Sequence, residues 1–182
     1  MTDVDIGPLT RLLPQPAQPS MTGEAAGWGP VEASIGLRLP SDYKAFIGAY
    51  GSGTIADFWL VLNPFATGAG YRLQDYGLTM LETLRSVRAD GEAVPYPIHP
   101  EPGGLLPWGY TGNGDWCFWV TDPSDEPDAW AIAINGSRSP DWFDHAGPLV
   151  GFLVDFLSRR VQVSFLPPEV ATEPIAFHPL PL

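Results

Sequence analysis

Hydrophobic residues repeat along this chain with two different periods, and the change of period outlines the fold. Tyr43, Phe46, Ile47 and Tyr50 follow the i, i+3, i+4, i+7 spacing of one helix face. Ser41 stands where an N-cap belongs and Gly51 where a helix stops. Upstream, Gly29-Pro30 opens a short helix through Gly36, with Val31 and Ile35 four apart. A third helix is predicted over 78–89, carrying Leu81, Leu84 and Val87 or Arg88, with Asp90-Gly91 as its stop. A fourth begins at Pro148, with Leu149, Phe152, Leu153, Phe156 and Leu157 at helical spacing.

The other period is two. Residues 58–62, 116–121 and 130–134 are short, aromatic and β-branched, and read as strands. Asn113-Gly114 and Asn135-Gly136 are turn signals. The polar stretch 122–128 joins two of the strands as a hairpin loop, and Val161 to Leu166 alternates as a further short strand. Within residues 116–121, Trp116 and Trp119 have opposite parity and point to opposite faces. Trp108 and Trp142 fall between the strands, in expected loops. Helices flanking hairpin-linked strands predict an α+β domain with a mainly antiparallel sheet and about four helices.

Proline marks both ends. Pro14, Pro16 and Pro19 suit an extended lead-in, and Pro167, Pro168, Pro174, Pro179 and Pro181 speak against regular structure in the tail. The expected division is a lead-in over 1–20, the domain over 21–166 and the tail over 167–182. The tail also carries Ile175, Phe177, Leu180 and Leu182, enough apolar surface to lie across the domain.

Charge narrows the function. The 182 residues include 21 acidic and nine basic side chains, a net charge of −12, and the only lysine is Lys44. Such a surface repels nucleic acid and anionic membranes and attracts basic proteins. No stretch approaches the length of a membrane span, and the acidic start of the chain does not resemble a secretory leader, so a cytoplasmic protein is expected.

Most catalytic arrangements are missing from the sequence. There is no nucleophile elbow, no phosphate loop and no dinucleotide fingerprint. His99, His145 and His178 are far apart and lack metal-ligand spacing, so neither metal nor cofactor is expected. Cys117 sits in an apolar strand, where burial raises its pKa. The tightest carboxylate group is Asp122, Asp125, Glu126 and Asp128, which reads either as a solvated loop or, with Asp141, as an acidic patch facing a partner.

Several segments resemble one family in order. Trp28-x-x-x-Glu32-x-x-x-Gly36, then Leu39-Pro40-x-Asp42-Tyr43-Lys44-x-Phe46, then Tyr50-Gly51-x-Gly53 resemble the opening of the SUKH superfamily. Gly103-Gly104-Leu105-Leu106-Pro107-Trp108-Gly109-x-Thr111-x-Asn113-Gly114-Asp115 resembles its central signature, and Trp130 and the apolar C-terminal helix fall in place. That superfamily holds fungal Smi/Knr-type cell-wall-assembly regulators and many bacterial immunity proteins. The resemblance implies an α+β fold, no enzymatic activity, and a protein partner such as a toxin, with the chain a monomer or weak dimer. It also implies that the motif residues are structural: Glu32 and Asp42 pair or cap locally, and Leu105, Leu106 and Trp108 anchor the sheet's edge to the core.

Overall fold

The computed structural model describes residues 4–137, 139–172 and 175–181. Pro174 and Leu182 of the tail, and the first three residues of the lead-in, lie outside them. Five α-helices are found among the described residues: α1 (Gly7–Leu12), α2 (Trp28–Ile35), α3 (Ser41–Tyr50), α4 (Leu73–Ala89) and α5 (Leu149–Leu157). Seven strands form one sheet: β1 (Gly53–Ile55), β2 (Trp59–Val61), β3 (Leu105–Thr111), β4 (Trp116–Val120), β5 (Ala131–Asn135), β6 (Trp142–His145) and β7 (Phe177–Pro179). Their order is β6-β5-β4-β3-β2-β1-β7, and every pairing is antiparallel. The architecture is the expected α+β domain.

Strand alternation sorts the core into two layers. Trp119 and Cys117 point to one face with Trp59, Ile132 and Ile134, under α1, α3 and α5. Phe118 points to the other with Leu105 and Ala133, against Leu81 and Leu84 of α4. Trp116 joins Phe118 on that second face, so the opposite parity of the two tryptophans holds. Helix α5 buries Leu149, Val150, Phe152, Leu153, Phe156 and Leu157, an arc too wide for a surface helix. Phe152 and Phe156 meet the ring of Trp59 at centroid distances of 5.4 and 4.7 Å.

Several expectations are corrected. Helix α4 begins at Leu73, one and a half turns before residue 78. The helix runs through Gly77, although glycine in a helix interior costs about 1 kcal/mol. Gly77 lies against the ring of Pro107, where a Cβ would approach to 3.3 Å. Ser41 does not cap α3 but is its first residue; its N–H donates to Asp128 Oδ1 at 2.6 Å. Trp142 lies in β6 and Trp108 in β3, not in loops.

The Gly103–Gly109 segment is not at the sheet's edge: β3 is its central strand. A bulge between Pro107 and Gly109 turns Trp108 into the main core, fully buried beside Trp59 and Phe152. Gly109 follows from that approach, because a Cβ there would come within 2.5 Å of the Leu60 carbonyl oxygen.

Val161 to Leu166 forms no strand. Arg159 reverses the chain at φ 60°, and Val163 and Leu166 drop into the core at the end of α5. The outer edge of β1 is taken instead by β7, so the tail holds regular structure despite its prolines. Phe177 packs on Phe46 and Tyr50. The lead-in is also tied down. Leu9 and Leu13 are fully buried, and Tyr50 donates its hydroxyl to the Leu13 carbonyl at 2.6 Å. Gly51 sits at φ 70° where a Cβ would overlap the Ser20 carbonyl, and Gly53 where one would strike Phe177. These two glycines of the Tyr50-Gly51-x-Gly53 motif make room for the two ends of the chain.

Candidate partner-binding surface

The motif carboxylates work inside the fold. Asp42 is buried, and its two oxygens accept from the N–H of Tyr43 at 2.8 Å and of Val150 at 2.7 Å. The second bond is not local: it caps the start of α5 from 108 residues away. Burial raises the Asp42 carboxyl above its ordinary range, while these two N–H groups pull it back down. Glu32 accepts from the Leu39 N–H and pairs with Lys44 at 2.5 Å. That ammonium also lies over Trp28 at 5.7 Å, and Trp28 packs edge-on against Tyr43. Asp115 is buried in the β3–β4 turn, where it accepts from the Thr111 hydroxyl at 2.6 Å and the Ser137 N–H at 2.9 Å. Gly112 and Asn113 form that turn, closed by the Gly114 N–H on the Thr111 carbonyl, and the Trp130 indole donates to the Pro123 carbonyl at 2.8 Å.

The titratable groups with catalytic potential sit in structural settings. Cys117 is fully buried and burial pushes its thiol well up. His99 faces the Ile35 carbonyl at 3.0 Å, and burial lowers its pKa. His145 pairs with Asp155 at 3.1 Å and His178 with Asp57 at 3.3 Å. Among the described residues no cluster of three or more His, Cys, Asp or Glu could hold a metal.

The five acidic residues singled out from the sequence do not form one patch. Asp122, Asp125, Glu126 and Asp128 share the exposed β4–β5 loop. Asp141 is exposed at the start of β6, whose Trp142 pairs with Asn135 at the far end of β5. The length of β5 separates the two places, about 14 Å at 3.4 Å per residue. The loop is also partly committed. Asp128 caps α3, and the Asp125 carbonyl accepts from the Arg38 guanidinium. Asp122, Asp125 and Glu126 present carboxylates with no ion-pair partner among the described residues. The long-range cap by Asp128 left no sequence signal, because it joins residues 87 apart.

The order of the motifs, and the buried contacts they make, meet an independent comparison. The SUKH_6 family model, described as SMI1-KNR4 cell-wall, matches residues 28–145. The chain belongs to the SUKH family. SUKH proteins are as a group binding proteins, and they include immunity proteins as well as Smi1/Knr4-type proteins. No curated protein and no solved structure matches the chain significantly. The SUKH match runs from α2 to β6 and leaves out α1, α5 and β7. Those elements nonetheless complete the core, since Phe152 and Phe156 of α5 cover the ring of Trp59. No helix among the described residues is long and apolar enough to cross a membrane.

Proposed function

We propose that this chain is a cytoplasmic immunity protein that binds and neutralises a cognate toxin of a polymorphic or contact-dependent system. Membership of the SUKH family, over residues 28–145, carries the reading. The net charge of −12 supports a basic partner, and nuclease domains fit best because their clefts are built for phosphate. An acidic inhibitor reaches such a cleft quickly through electrostatic steering. Inhibition is by occupation, without chemistry: the one thiol is buried, and the histidines are engaged by backbone or carboxylate.

Co-expression with the toxin domains encoded beside this gene tests the reading. Restored growth and a stable complex are expected for one of them; if every adjacent toxin neither binds nor is neutralised, the reading fails. The description of the matching family as SMI1-KNR4 cell-wall favours a second one, a non-enzymatic scaffold for a signalling or envelope-synthesis protein. A housekeeping partner and a neighbourhood without toxin genes would favour that alternative.

A further inference from the structure

The second face of the sheet is covered only in part. Helix α4 packs on β3 through Gly77 and Pro107, and on Phe118 and Ala133 through Leu81 and Leu84. Beyond its C-terminal turn lies a groove of about 700 Å3. Trp116, Asn135 and Trp142 line it, from three adjacent strands. They share one face because Asn135 pairs directly with Trp116 on one side and with Trp142 on the other. Leu84 and Val87 of α4 line it as well, and Glu92 stands on the turn after the helix. Both indoles are half-buried, so aromatic surface stays open to solvent.

Among the described residues, the charged groups around this groove that lack an ion-pair partner are of one sign. Asp90 and Glu92 are exposed on the α4 side, and Asp141 and Asp144 are exposed on the β6 side. None of the four is in an ion pair with another described residue. The cations of the neighbouring helix turn are committed elsewhere. Arg88 forks onto Glu101, at 2.6 and 3.2 Å, and Arg85 donates to the His99 carbonyl. An aromatic floor between carboxylate-bearing edges suits a planar cation. A guanidinium stacks on an indole and donates its N–H fork to carboxylates, which an ammonium does less well.

We propose that the Trp116–Trp142 groove receives an arginine-bearing segment of a basic partner protein. The proposal rests on the reading of the chain as an inhibitor of a basic toxin, and names the face that makes the contact. It moves the centre of recognition away from the 122–128 loop to the opposite end of β5. Asp141 is kept as part of it, and Glu92 is added.

The test uses the full chain, 15N-labelled, titrated with a hexa-arginine peptide and with its uncharged hexa-citrulline counterpart. The readout is the set of seven indole N–H resonances, assigned with Trp116→Phe and Trp142→Phe variants. Arginine is expected to shift the Trp116 and Trp142 signals and citrulline is not. The double variant Glu92→Arg/Asp141→Arg should abolish the shifts. Shifts confined to other indoles, or undiminished in the double variant, overturn the proposal. With a neutralised toxin in hand, Trp142→Ala should weaken binding about thirtyfold, the scale of an interface hot spot. Unchanged affinity in that variant and in Glu92→Arg overturns the groove while the immunity role stands. Arginine binding in the groove without any neutralised toxin overturns the role while the groove stands.

Discussion

Asp42 offers the sharpest test of how the fold is held, because one carboxylate joins the starts of two helices. In Asp42→Ala the Val150 N–H loses its acceptor at 2.7 Å in a site where Val150 is only 6% exposed. An unsatisfied buried donor costs about 1–3 kcal/mol, and loss of an N-cap about 1 kcal/mol by itself. The two descriptions overlap, so the expected loss is about 2 kcal/mol, or roughly 4–8 °C in Tm for a chain of this size. Asp42→Asn removes the buried charge and keeps one oxygen acceptor, but sets its NH2 against the second N–H, so it should cost about 1 kcal/mol, less than the alanine variant. Urea unfolding, followed by tryptophan fluorescence and far-UV circular dichroism together, measures both. Because the carboxyl is raised in the folded state, its protonated form is favoured there. Its contribution is therefore full below about 3.8, the ordinary value, and declines as the pH rises through the raised one. The asparagine variant should lose that slope. An alanine variant as stable as the parent, or an asparagine variant as damaged as the alanine one, would refute the capping argument.

Three further outcomes are expected. Gly109→Ala should destabilise by about 2–3 kcal/mol, since its Cβ meets the Leu60 carbonyl oxygen at 2.5 Å and only backbone can move; thermal unfolding reads it, and an unchanged Tm would remove the close-approach explanation. Phe177→Ala should cost about 3 kcal/mol and loosen β7, seen as faster amide exchange at Thr54 and Ala56, whereas a free tail would show neither. Arg88 holds the Glu101 carboxyl down to about 2. The stability from this pair should be complete above pH 4.5, the ordinary value, and lost as the pH falls towards 2; Arg88→Gln should flatten that part of the acid-unfolding curve.

Sequence periodicity determined much of this protein. The spacing of Tyr43, Phe46, Ile47 and Tyr50, the run at 149–157 and the alternation at 116–120 each encode an element locally, through the side of the chain that must leave water. The ordered motifs determined the family, and the charge surplus underlies the proposal of a basic partner. Tertiary structure decided what local pattern cannot carry. Gly77 is helical because Pro107 lies beneath it, and Trp108 is core because a bulge admits it. Val161 to Leu166 stays out of the sheet while Phe177 enters it, because β1 has one free edge and the tail occupies it. The acidic residues show the same limit. Asp122 and Asp128 are neighbours in sequence and in space, but Asp128 is tied to the start of α3. Asp141 lies at the far end of β5 from their loop, beside Trp142, which lines one groove with Glu92. Trp116 and Trp142 become one surface only when β5 lines up between them, since cross-strand pairing, not sequence distance, sets which side chains share a face.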